Sequence, residues 1–240
     1  MRTIDRVGYV LGGVLFLSGL VHLVVLLVTG GTWLGPLSMR KPLTFGLSFG
    51  LTVGAAVWAT SFLRVRQGLR TLLLAMLYVA SVVEVSLITL QAWRGRPSHF
   101  NFETPFDSTI AMTLAGGGAV LIAVIAGFTV AAFRTVQTRS MQLALRFGFA
   151  ALVVALVVGA VMIATGVTEV RSGNAELAYL TAGALKPAHA VPMHAILIMP
   201  GLAWLLGLTR WPEETQVLIT RIAAAGYGLL IAGTIAYSAI

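Results

Sequence analysis

Glu84 stands in the middle of an apolar run, Thr71–Trp93, that is long enough to cross a bilayer. A carboxylate in hydrocarbon is costly unless something faces it, so it marks a site by default. Ser81 and Gln91 share its stripe, because three and seven residues are near-whole turns of a 3.6-residue helix. The chain then leaves the run through Arg94, Arg96, His99, Asn101 and Glu103 and reaches Asp107. Glu84 or Asp107 delivering a proton inside a dry cavity would be acid catalysis. In Asp107 a structural role competes with that one, because FETPFD reads as a helix start with Thr104 as N-cap, Pro105 first and Asp107 third. The histidines offer different chemistry, since imidazole is the commonest metal ligand. His22 follows Ser18 by one turn, and His99 sits in the loop as a ligand or a loop-ordering hydrogen bonder. His189 and His194 are five apart, about 140° around a regular helix, so they chelate one ion only if a bend at Pro192 brings them round.

Membrane helices must position these groups. Of the 240 residues 58% are hydrophobic and 10% charged, where a soluble domain has roughly 25% charged. Seven apolar runs approach the roughly 20 residues that a span needs. They are Val7–Thr29, Leu43–Leu63, Thr71–Trp93, Asp107–Phe133, Gln142–Thr165, Ala188–Leu208 and Gln216–Ser238. The expectation is an all-α integral membrane bundle of seven transmembrane helices, residues 1–240 forming one transmembrane domain. With the N-terminus inside, ten of the sixteen Lys and Arg fall on the cytoplasmic side, which favours N-in and C-out. The net charge of +8 is scattered over short loops rather than gathered on an arm, so no nucleic-acid partner is implied. The absence of cysteine excludes disulfides, thiolate ligands and thiol redox chemistry.

Within the spans, Gly8, Gly12 and Gly19 on the first and Gly46, Gly50 and Gly54 on the second form small-residue faces for close helix contact. Gly116–Gly118 mark a third close-contact or flexible point. Between the fifth and sixth spans the loop 166–187 has room for a short surface helix capped by Asn174, a possible lid. Counting 1.5 Å per residue from the outer helix ends puts His22 at about 10 Å, Ser48 at about 9 Å, Glu84 at about 14 Å and His194 at about 9 Å. Four helices therefore bring polar groups to one depth in the outer half, with Gln91, His99, Asp107 and His189 above them. Three helix N-termini face the same side, where backbone dipoles favour anions. Arg40, Lys41 and Arg94 would hold an anionic group there, with Gln91 and His99 beside it.

RKPLTFGLSFG, EVSLITLQAWRGRPSHFN and His189-x4-His194 followed by Pro200 resemble a set of bacterial multi-spanning membrane proteins without an assigned activity. That resemblance covers most of the chain and implies a multi-pass protein of the bacterial inner (cytoplasmic) membrane. A weaker similarity links the chain to the ceramidase and adiponectin-receptor-like hydrolases, seven-helix proteins that bind zinc in the membrane. Ser18-x3-His22 matches their first motif and Glu84 stands where they use an aspartate. Their closing histidines are spaced by four on the last helix, whereas here the spacing is five on the sixth span.

The leading expectation is a membrane-embedded haem or divalent transition metal, with His22, His189 and His194 as ligands and Glu84 orienting or balancing an imidazole. A metal-dependent or acid–base enzyme acting on a lipid or isoprenoid is the alternative, the acid version being comparable in outline to integral membrane terpene cyclases. A non-enzymatic sensor, carrier or complex subunit is the third. Membrane lipids, and a lipid or small hydrophobic ligand, are the expected partners.

Overall fold

The computed structural model describes all residues except Leu34, Pro36, Ala239 and Ile240, and the side chains of all of these except Ala175, Glu176, Leu180 and Ala182. The described residues form the helices α1 (Thr3–Thr29), α2 (Arg40–Ser61), α3 (Gln67–Trp93), α4 (Pro105–Arg134), α5 (Arg139–Arg171), α6 (Ala175–Ala184), α7 (Lys186–Gly207) and α8 (Glu213–Ser238). All but α6 are long and apolar enough to cross a membrane. The seven runs read from hydropathy are therefore seven helices of a multi-spanning bundle. Several reach beyond their apolar runs, because backbone hydrogen bonding continues after hydropathy falls. The excess is greatest in α5, whose 33 residues make roughly 50 Å, against about 30 Å of hydrocarbon. Pro192 and Pro200 lie inside α7, which nonetheless continues unbroken as one helix.

Packing between α2 and α3, α3 and α4, α4 and α5, α5 and α7, and α7 and α2 closes a ring of five helices. Outside that ring, α1 lies against α2 and α3, and α8 against α5 and α7. The α1–α2 seam is the tightest. A Cβ on Gly46 would stand 2.6 Å from the Gly19 nitrogen, and one on Gly50 2.7 Å from the Gly12 carbonyl oxygen. Backbone meets backbone there, as the small-residue faces predict. Gly46→Val must push the helices apart, and a loss of at least about 1–3 kcal/mol is expected in reversible unfolding in mixed micelles.

The two ends of the bundle differ. At the end carrying the N-terminus, Arg70 of α3 is 2% exposed and reaches Asp5 of α1 at 2.7 Å. Its guanidinium also donates to the carbonyls of Val57 and Thr60 and to the Thr60 hydroxyl. The same end is stitched by the Arg64 N–H donating to the Thr135 hydroxyl, Gln137 to the Phe62 carbonyl and the Arg139 N–H to Glu213. Below this network the ring is filled with packed apolar side chains, among them Leu74, Leu77, Val124, Phe128, Leu145 and Phe149.

The opposite end, called here the His99 end, is crossed by the α3–α4 loop. His99 packs its ring on Phe45 of α2, with centroids 6.0 Å apart. Phe100 sits over Gly166 of α5, where a Cβ would be 2.4 Å from the Phe100 ring. The Tyr179 hydroxyl of α6 donates to the His99 carbonyl at 2.9 Å. The segment that reaches across the mouth of the ring is thus the α3–α4 loop, with α6 tied to it. The short helix expected in loop 166–187 does begin after Asn174, but Asn174 makes no side-chain cap.

Candidate functional site

Four sequence-selected residues, Gln91, Arg94, Thr104 and Asp107, meet where α3 passes into α4. Thr104 caps α4 as read: its hydroxyl accepts from the Asp107 N–H at 3.1 Å and donates to Asp107 Oδ2 at 2.7 Å. Asp107 Oδ1 accepts from Gln91 Nε2 and from the Arg94 guanidinium, both at 2.8 Å. Arg94 also donates to Gln91 Oε1 and lies 4.6 Å from the Phe106 ring centroid. At 1% exposure, with both oxygens engaged, Asp107 closes a helix cap and clamps the loop. The catalytic reading of Asp107, and the anion-holding reading of Gln91 and Arg94, therefore find these groups already bonded to one another.

His99 is differently placed. Its Nδ1 lies 3.1 Å from the Ser98 hydroxyl, and among the described residues Nε2 has no partner. Burial, and secondarily the charge of Lys41, hold its pKa well below the usual 6.5, so the imidazole is neutral at pH 7. Burial and then Glu103 push the Tyr179 phenol up to about 12, which keeps it protonated as a donor to the His99 carbonyl. The unfolded chain binds a proton at His99 near pH 6.5 and the folded one does not, so stability falls as pH drops through that value. A melting-temperature profile between pH 8 and 5 should decline toward acid, and His99→Asn should flatten it.

Near His99 lie two ionisable groups that no hydrogen bond or ion pair engages among the described residues. Glu84 is 4% exposed, and no hydrogen bond or ion pair engages it among the described residues. Its carboxylate passes over Gly117 of α4, where a Cβ would be 3.0 Å from Oε1. Gly117 is the feature that sequence reasoning undervalued: Gly116–Gly118 read as a generic contact point, whereas one of them makes room for a carboxylate on the facing helix. Lys41, at the start of α2, is half-buried and likewise lacks a hydrogen-bonding or ionic side-chain partner among the described residues. Its ammonium is close enough to act electrostatically on Glu84, His99 and Lys186. Arg40 stands beside it with a buried, unpaired Nε and its guanidinium 5.8 Å from the Trp33 ring. The cations expected from RKP are thus at this site, whereas Arg94 is committed to Asp107.

The other three histidines turn elsewhere. His22 donates from Nδ1 to the Ser18 carbonyl at 2.7 Å and accepts at Nε2 from the Trp93 indole at 3.0 Å, so both nitrogens are used in fixing α1 to α3. His189 bonds the Ala155 carbonyl of α5 at 2.7 Å, over Gly159. His194 is exposed and bonds the Ala190 carbonyl of its own helix. Among the described residues no three His, Cys, Asp or Glu side chains come together as they would to hold a metal ion. The shared level of His22, Glu84 and His194 does not become a shared site, because α1 lies outside the ring and each histidine faces a different neighbour. Phe100 has φ of 61°, a left-handed backbone rare outside glycine, and this strained residue lies between His99 and Asn101 in the crossing loop. No family model, curated protein or solved structure matches this chain.

Proposed function

We propose that this protein binds a small amphipathic molecule at the His99 end of its ring, and that the occupant supplies the partner Glu84 lacks. The observation that carries the reading is the unpaired Glu84 carboxylate over Gly117, inside a spanning helix and within the field of an equally unpaired Lys41. Hydrocarbon does not tolerate such a group idle, and intramembrane carboxylates mark ligand or proton pathways. Lys41 and Arg40 would take an anionic or strongly accepting head, and Glu84 a hydroxyl, an amine or a proton. His99, neutral with Nε2 open, would sit at the mouth. The distribution of Lys and Arg favours N-in and C-out, which supports reading this end as the outer one, with the occupant coming from the outer leaflet.

Analysis of organic molecules co-purifying with the protein tests this. A stoichiometric species should accompany the native chain and fall at least tenfold in both Glu84→Ala and Lys41→Ala, with folding retained. Retention in both variants would overturn the proposal.

A metal or haem is the second reading, favoured only by the open Nε2 of His99 and of His194. A visible spectrum and elemental analysis of the purified protein decide it: a Soret band or one bound metal per chain supports it, and a colourless metal-free protein removes it. Should the occupant be turned over, Glu84 is the group placed to move a proton.

A further inference from the structure

A second feature lies on the lipid-facing side of the α2–α7 seam and involves none of the Glu84 groups. Ser48, Leu51, Thr52 and Ala55 of α2 and Met193, His194, Ile196 and Leu197 of α7 line a shallow cleft between the two helices. Ser48 and His194 each lie eight residues into helices that begin together at the His99 end, roughly 12 Å down the axis. His194 and Leu197 are exposed on a spanning helix, so the cleft opens sideways into the bilayer.

Its polar groups are unsatisfied. Membrane serines and threonines ordinarily return the hydroxyl to the carbonyl one turn back, as Ser81, Thr129 and Thr165 do here. Ser48 and Thr52 do not: no hydrogen bond engages either hydroxyl among the described residues. His194 spends Nδ1 on the Ala190 carbonyl, which leaves Nε2 as a lone-pair acceptor directed away from its own backbone. One short stretch of hydrocarbon depth thus holds two hydroxyls and an imidazole acceptor, and lipid tails can answer none of them.

We infer that this cleft binds an uncharged, lipid-soluble molecule through a single hydroxyl that donates to His194 Nε2 and accepts from Ser48 or Thr52. A hydroxyl is the smallest group that is donor and acceptor at once, and the site presents both counterparts at one level. A carbonyl or an ether would leave the imidazole unanswered. The cleft is shallow and open on its lipid side, so the hydroxyl alone reaches between the helices while the rest of the molecule lies in the bilayer. The class is therefore a lipid-soluble alcohol or phenol.

The probe is 4-dodecylphenol, compared with its methyl ether, titrated into the full chain in lipid nanodiscs. Binding is followed by native mass spectrometry and by the ¹⁵N resonance of the His194 ring. The phenol should bind once per chain, at least tenfold tighter than the ether, and shift the Nε2 resonance. His194→Leu, and separately Ser48→Ala with Thr52→Val, should bring that ratio close to one without lowering the melting temperature. The second variant tests the idea even if the first folds poorly. Glu84→Ala should leave the ratio intact, so this inference and the proposed function fail separately. Equal binding of phenol and ether, or a preference that survives both cleft variants, would overturn the inference. A dimer of the native chain that dissociates in His194→Leu would do the same, because a second copy would then fill the cleft.

Discussion

Arg70→Ala should lower the unfolding free energy of the bundle by about 3–5 kcal/mol, the range for breaking a buried ion pair from one side. The Arg70 side chain is 3% exposed and its Asp5 partner 13%, so solvent cannot take over when the guanidinium is removed. Four acceptors lose a donor together: Asp5 Oδ1, the carbonyls of Val57 and Thr60, and the Thr60 hydroxyl. Those acceptors come from α1 and α2, so the arginine on α3 holds three helices in register. Arg70→Lys should recover only part of the loss, since an ammonium cannot reproduce the planar fork that meets acceptors on two sides. Asp5→Asn combined with Arg70→Met should cost less than the two single losses added, because no uncompensated charge remains. Reversible denaturation in mixed micelles measures each of them. A loss below about 1 kcal/mol for Arg70→Ala would mean that water reaches the pair in solution.

Glu84→Leu should move stability the other way, upward by about 2–3 kcal/mol, near the cost of a carboxylate at mid-membrane on insertion scales. The same burial that makes Arg70 structural makes Glu84 a burden, because one has its partners and the other does not. A native residue that weakens its own fold is expected where function needs it. The variant should therefore melt higher while losing the co-purifying molecule. If Glu84→Leu instead destabilised the protein as severely as Arg70→Ala, the carboxyl would be a structural element and the proposed site would lose its foundation. Gly117→Ala adds a finer reading. Its new methyl comes 3.0 Å from Oε1, so the carboxylate must shift, and occupancy should fall with little change in melting.

The seven spans were legible because lipid demands continuous apolar helices, and that demand is written in local composition. The Thr104–Pro105–Asp107 cap was legible for a related reason, since a cap is made within four residues. Depth along each helix was readable too, for a fixed rise per residue sets it. Rotation about each axis was not: whether His22 faces the ring or Trp93 depends on where α1 packs, and nothing within α1 states that. The same gap hid the pairing of Asp5 with Arg70, 65 residues apart, where a basic residue near a turn looks like a topology signal. It also hid the match between Glu84 and Gly117, which needs α3 and α4 already side by side.

The loop that crosses the mouth of the ring has a thermodynamic consequence for whatever occupies the site. With His99 on α2, Phe100 on α5 and Tyr179 fastening α6 from above, the direct approach from water is obstructed, whereas the flanks between helices border lipid. A molecule arriving sideways is first concentrated by partitioning, so its apparent affinity multiplies an intrinsic constant by a partition coefficient. Measured against total concentration, binding would then weaken in proportion as lipid is added, though no contact in the protein had changed.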